Sequence, residues 1–157
     1  MGDAFPWSGG EPPNTFYPTG AIARTQAFTP RTSDFAYVSI GTNDIGNGVS
    51  PATVTANLEA MVGAWIARGL PAGKFMITTI PPRNPGVESA AIPELNTKIR
   101  DLAASTGVRL IDISAFVSDD DGLTWKAGMH VDGDSLHYSE AVRNWLADQV
   151  VSVMLSF

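Results

Sequence analysis

From residue 34 onward, short apolar runs alternate with segments in which apolar residues recur at helical spacing. The runs predict three buried strands, at residues 35–40, 74–80 and 108–113. Ser50 followed by Pro51 is typical of a helix start, and a second helix is predicted from near Pro93. A last helix is predicted from about Ser139. Strands that alternate with helices in this way are typical of βαβ units on a parallel sheet.

The expected architecture is a three-layer α/β/α domain with a small, doubly wound parallel sheet. Such sheets bind ligands at the carboxyl ends of their strands, which here means just after Ile40, Ile80 and Ile113. Residues 1–33 are rich in Pro, Gly, Ser and Thr and predict an irregular arm, so residues 34–157 form the domain. The last helix is expected to bury one stripe: Val142, Leu146, Val150, Val153 and Met154.

Composition narrows the class of protein. A chain of 157 residues with 44% hydrophobic content supports one core and one domain. The net charge of −6 argues against a nucleic-acid partner, and no apolar stretch is long enough to predict a membrane span. The first ten residues lack the basic start and apolar run of a signal peptide. Without cysteine there is no disulfide, thiolate nucleophile or zinc–thiolate site, and either redox compartment fits the chain.

Polar residues follow each predicted strand. The segments are Gly41-Thr42-Asn43-Asp44, Pro81-Pro82-Arg83-Asn84 and, before the last helix, Asp134-Ser135-Leu136-His137. Gly-x-Asn-Asp after a buried strand is similar to the third sequence block of the SGNH or GDSL serine hydrolases, and Asp-x-x-His before a final helix resembles their fifth. The resemblance covers roughly residues 35–157 and implies a flavodoxin-like hydrolase fold.

The resemblance implies ester hydrolysis without a cofactor, on a small acyl ester or an acetylated sugar. His137 is then the general base, Asp134 orients its imidazole, and Asn43 donates to the oxyanion. The chemistry agrees, because an Asn amide is a neutral donor and an Asp three residues before a His can fix its tautomer. The alternatives are a simple turn at residues 41–44, and a packing role for His137 with Asp134 capping a loop.

The nucleophile does not follow the family pattern, which has a Gly-Asp-Ser block after an upstream strand. Gly2-Asp3-Ala4 has alanine at the serine position and is interpreted as a coincidence. Gly133-Asp134-Ser135-Leu136 matches literally but does not follow an apolar strand, so Ser135 is only a minority hypothesis for the nucleophile. The family's glycine block has no convincing match. The expected sheet therefore lacks its first strands, which predicts that the amino-terminal arm, a second copy or an amino-terminal fragment covers the edge at residues 35–40.

Two other functions are alternatives to ester hydrolysis. One is metal-dependent hydrolysis with His130, Asp132, Asp134 and His137 as ligands, although their spacing fits no defined motif. The other is a binding or assembly module that keeps the hydrolase scaffold without its nucleophile.

Several other residues near the expected site are assigned structural roles. Asp44 is expected to accept hydrogen bonds from loop amides, Trp125 and Tyr138 to pack, and Arg83 to be a solvated loop cation. The acidic run at residues 119–121 fails the calcium-loop pattern and is expected to be a solvated loop.

Overall fold

A computed structural model of the protein describes residues 29–83, 90–133 and 136–157. Within these ranges, three parallel strands form one sheet in the order β1, β2, β3. The strands are β1 Ala36–Val38, β2 Phe75–Thr78 and β3 Arg109–Ile111. The helices are α1 Thr42–Gly46, α2 Pro51–Ala67, α3 Ala91–Thr106, α4 Ile113–Val117 and α5 Glu140–Met154, and a 3₁₀ turn spans Ala72–Lys74. The predicted α/β class with a parallel sheet is confirmed.

The first face of the sheet packs against α2 and α3. Because side chains alternate along a strand, Phe75 and Ile77 of the central strand β2 enter the same core as Val38 of β1 and Leu110 of β3. Helix α2 begins as predicted, since the Ser50 hydroxyl accepts a hydrogen bond from the Thr53 amide. The helices α2 and α3 contribute eight large apolar residues to this core: Val54, Leu58, Met61, Val62, Ile92, Leu95, Ile99 and Leu102.

The second face carries a smaller cluster formed by α4, α5 and the loop between them. Ile113, Val117 and Val142 are its buried centre, and the rings of Phe116 and Trp145 stack with centroids 4.1 Å apart. The helices on the two faces produce the layered arrangement that the alternating pattern predicts.

The predicted buried stripe on the last helix is wrong at its last position. Val142 is fully buried and Leu146, Val150 and Val153 are half-buried, but Met154 is 45% exposed. The first turns of α5 pack against α4, where Trp145 stacks on Phe116. None of the described helices combines the length and the hydropathy that crossing a bilayer requires.

Candidate active site

The carboxyl end of β1 turns directly into α1 at a glycine that the fold requires. Gly41 has φ +117°, and a Cβ there would lie 3.2 Å from Leu95 Cδ2 and 3.4 Å from Val54 Cγ1. The residue therefore faces the core, while its carbonyl accepts the Ile45 amide at 3.0 Å and starts the helix. Residues 41–44 are thus not an isolated turn but the beginning of α1, which the sequence pattern did not predict.

Asn43 is the second residue of α1 and is exposed at this edge of the sheet. Its carbonyl accepts hydrogen bonds from the Asn47 backbone amide at 3.0 Å and from Asn47 Nδ2 at 2.6 Å. These bonds hold the backbone of Asn43 and leave its side-chain carboxamide near solvent, where a ligand can reach it.

Asp44 follows Asn43 and is half-buried. Burial raises the pKa of its carboxyl to about 6, against a smaller lowering by its own backbone amide. Its backbone carbonyl accepts the Val49 amide at 2.9 Å. Asp44 is therefore a carboxyl group that titrates near neutral pH beside the candidate oxyanion donor.

Arg83 reaches α1 from the segment after β2. Its Nη1 donates to the Thr42 carbonyl at 2.7 Å, and its guanidinium lies so close to Gly46 that a side chain at position 46 would overlap it. The expectation of a solvated loop cation is wrong, because Arg83 is half-buried against the helix that carries Asn43.

The path of the chain toward Arg83 is fixed by a buried polar side chain. Asn96 of α3 is 0% exposed; its Oδ1 accepts the Ile80 amide at 2.8 Å and its Nδ2 donates to the Ile80 carbonyl at 3.1 Å. The same Nδ2 lies 3.2 Å from the Asp121 carbonyl. The Asn96 side chain thus makes the hydrogen bonds with Ile80 that a neighbouring strand would otherwise make, and it fixes the backbone just after β2.

The acidic run is held more firmly than a solvated loop. Asp121 forms an ion pair with Arg100 at 2.7 Å, and Arg100 also pairs with Asp112 at 2.8 Å. Asp120 accepts hydrogen bonds from the Ser118 and Thr124 hydroxyls and from the Leu123 and Thr124 amides, which lower its pKa to about 2. The solvated-loop expectation holds for Asp119, whose side chain is 86% exposed, and is wrong for Asp121.

His137 lies in a short antiparallel pairing before α5. The Val131 amide donates to the His137 carbonyl and the Ser139 amide to the Met129 carbonyl, both at 3.0 Å, so that His130 and Tyr138 face each other as a bridge. His137 itself is exposed. Its backbone is therefore fixed on both sides by neighbouring peptide groups.

Trp125 and Tyr138 pack, as expected. The ring centroids of Trp125 and Tyr138 are 6.2 Å apart in an edge-on arrangement. Burial, and secondarily the neighbouring Tyr37, raise the pKa of Tyr138, against a smaller lowering by a hydrogen bond with the Ser39 side chain. Ser39 Oγ in turn accepts from Thr78 Oγ1 at 2.9 Å. Tyr138, next to His137, is thus largely buried and within electrostatic reach of Tyr37 and Ser39.

Two of the predicted site residues, Asp134 and Ser135, lie outside the described residues, as does Gly2-Asp3-Ala4. In the described part of the chain, no three His, Asp or Glu side chains come close enough together to hold a metal ion. His130, which the metal hypothesis included, has its Nδ1 3.0 Å from the Val131 carbonyl oxygen and its ring beside Trp125.

The described residues form an α/β domain with a three-stranded parallel sheet, which is the fold class of the SGNH hydrolases. Residues 9–143 match the family model of the GDSL-like lipase/acylhydrolases. The chain belongs to that family.

Solved structures from the same family share the fold. A member of the lipolytic G-D-S-L family from Veillonella parvula superposes with a TM-score of 0.67 at 19% identity, over 88% of this chain and 74% of that one. A GDSL-like lipase from Bacteroides thetaiotaomicron superposes with a TM-score of 0.71 at 13% identity, over 87% and 69%.

One curated relative is similar in sequence. The N-acylneuraminate cytidylyltransferase of Streptococcus agalactiae is 27% identical over 116 residues, which is 73% of this chain. The matched part spans 26% of that relative's length.

Proposed function

We propose that this domain hydrolyses carboxylic esters through His137, Asp134 and Asn43. In the proposed reaction a serine hydroxyl attacks the acyl carbon while His137 takes its proton, and Asp134 orients the imidazole. The carbonyl oxygen becomes an oxyanion that accepts a hydrogen bond from the Asn43 amide. Collapse of the intermediate expels the alcohol, which receives its proton from His137. Water then hydrolyses the acyl-serine by the same steps.

The observation that carries this proposal is the match of residues 9–143 to an acylhydrolase family. His137 lies in the short pairing that leads into α5, and Asn43 lies in the helix that follows β1. A base and an oxyanion donor must approach the same acyl group from two sides. The influence of Tyr37 and Ser39, in β1 and just after it, on the pKa of the neighbouring Tyr138 agrees with such an approach.

The attacking serine is the incomplete part of the proposed site. Ser135 is one candidate, and the other source is whichever segment pairs with the outer edge of β1: the amino-terminal arm, a second copy or an amino-terminal fragment. Among the described strands, β1 pairs on one side only, with β2. An activity that survives Ser135→Ala would assign the nucleophile to the second source. The proposed substrates are small acyl esters and acetylated sugars.

Hydrolysis of a short-chain nitrophenyl ester tests the proposal, and the chain provides its own control. It has two histidines, and both lie in the same paired segment. His137→Ala should reduce the rate by at least about 10³-fold, whereas His130→Ala should leave the rate within about threefold. Equal losses in both variants, or no loss in His137→Ala, would reject the assignment. Absence of hydrolysis by the unaltered chain would favour the binding-module alternative.

A further inference from the structure

Arg83 holds the helix that presents Asn43. Its Nη1 donates to the carbonyl of Thr42, the residue immediately before Asn43, at 2.7 Å. Thr42 and Gly46 are four residues apart and therefore lie on the same face of α1. The guanidinium covers that face, because the missing Cβ of Gly46 provides the space for it. The Arg83 guanidinium thus contacts the Thr42 carbonyl and covers Gly46 of this short helix.

Ile45 anchors helix α1 in the core, but the helix is short and lacks a side-chain cap. It contains five residues, and its N-cap, Gly41, has no side chain that could accept a first-turn amide. Short isolated helices are unstable, so the orientation of Asn43 depends on contacts from elsewhere in the fold. Arg83 provides such a contact from the end of β2, the central strand of the described sheet.

The hydrogen bond from Arg83 to the Thr42 carbonyl also has an electrostatic effect on the candidate site. That carbonyl belongs to the peptide group that joins Thr42 to Asn43. A charged donor at the carbonyl polarises the peptide, and hydrogen bonds in series strengthen one another. The positive charge of Arg83 thus lies beside α1, where it favours negative charge that develops there.

We propose that Arg83 is a positioning residue for the oxyanion site: it fixes α1 so that the Asn43 carboxamide points at the developing oxyanion. Gly46 is part of the same device, because it admits the guanidinium. This inference rests on the proposed function, in which Asn43 is the oxyanion donor. Arg83 acts through Asn43 and needs no contact with the substrate.

Two substitutions disturb this contact in different ways. Arg83→Ala removes the guanidinium, and Gly46→Ala displaces it without changing the charge of the chain. Both should lower kcat about tenfold or more with KM changed less than about threefold, since misplacement affects the transition state more than substrate binding. Gly63→Ala, within α2 and with open space around its Cα, and Arg109→Ala, exposed on β3, are the matched controls and should have little effect.

Chemical rescue distinguishes positioning from a general structural role. Guanidinium added at millimolar concentration should restore part of the kcat of Arg83→Ala, where the space is vacant, and should not restore Gly46→Ala, where the methyl group fills it. Arg83→Lys, which keeps the charge, should lose less than Arg83→Ala. Equal rescue of the two variants, or a change in KM alone, would overturn the inference.

A variant series with Asn43→Ala separates this inference from the proposed function. If Arg83 acts through Asn43, then adding Arg83→Ala to Asn43→Ala should cause little further loss. Independent, multiplying losses would refute the positioning role while leaving the proposed function in place. An unchanged kcat in Asn43→Ala alone would instead refute the proposed function.

Amide NMR gives a readout that requires no activity. In ¹⁵N–¹H spectra of the folded chain, the side-chain amide signal of Asn43 should shift in Arg83→Ala and Gly46→Ala, and should stay in place in the two control variants. The dispersion of the remaining signals reports whether each variant is folded. An Asn43 signal that stays in place in folded Arg83→Ala would overturn the inference even for a chain that hydrolyses no ester.

Discussion

Asn96→Ala should be among the most destabilising single substitutions in this protein. The side chain is 0% exposed and satisfies both the amide and the carbonyl of Ile80, at 2.8 and 3.1 Å, as well as the Asp121 carbonyl at 3.2 Å. Alanine would leave these peptide groups unpaired in a dry environment. Each unsatisfied buried group costs about 1–3 kcal/mol, and the cavity adds to this cost. The two buried peptide groups of Ile80 alone predict a loss of about 2–6 kcal/mol, to which the cavity adds.

Equilibrium urea unfolding measures this loss directly. Domains of this size have a free energy of unfolding of about 5–15 kcal/mol, so the midpoint should fall by a large fraction of its value. Thr97→Ala is the matched control: the neighbouring exposed hydroxyl makes one local bond, to the Pro93 carbonyl at 3.0 Å, and its loss should cost less than about 1 kcal/mol. An Asn96→Ala cost below about 1 kcal/mol would refute the view that this amide holds the end of β2.

Three further predictions concern Gly122, Asp44 and the outer edge of β1. In urea unfolding, Gly122→Ala should lower the free energy of unfolding by about 2–4 kcal/mol more than Gly128→Ala does. Both glycines have positive φ, but only a Cβ at position 122 would lie too close to Ile92 and Asn96, at 2.6 and 2.9 Å. Equal costs would contradict this reasoning. Folding raises the Asp44 pKa from 3.8 to about 6, so the protonated carboxyl stabilises the fold below pH 4 and this contribution is lost as pH rises through 6. The free energy of unfolding of Asp44→Asn should therefore rise relative to that of the parent chain between pH 4 and 7, by at most about 3 kcal/mol, and a constant difference across that range would refute the raised pKa. The β1 amides that do not pair with β2 should be protected from hydrogen exchange, because a strand from this chain or from another copy covers them, and light scattering distinguishes these two sources by the molar mass. A monomeric mass together with fast exchange at those amides would contradict this prediction.

The main elements of the fold follow from local patterns. The apolar run at residues 74–80 contains β2, and the Ser50 and Ser139 caps start α2 and α5 where predicted. The short helices α1 and α4 were not predicted. Their signals are weak: Gly41 has no capping side chain, and the Asp112 cap of α4 lies within a run that resembles continuous strand.

The polar interactions of the site depend on long-range contacts, which periodicity does not reveal. Arg83 meets Thr42 across 41 residues and Arg100 meets Asp121 across 21, so neither pair has a local signature. Asn96 did leave a signal, since a polar residue interrupts the apolar stripe of Ile92, Leu95 and Ile99 on one helix face. An amide at such a position indicates a buried backbone partner.

Ester hydrolysis at this site requires a short separation between the Asn43 carboxamide and the His137 imidazole, and a crystal structure of the chain measures this distance. Each group must come within about 3 Å of atoms of one reacting acyl group, so Asn43 Nδ2 and His137 Nε2 should lie roughly 5–9 Å apart at the same edge of the sheet. A separation well beyond that range, or side chains on opposite faces of the sheet, would contradict ester hydrolysis at this site.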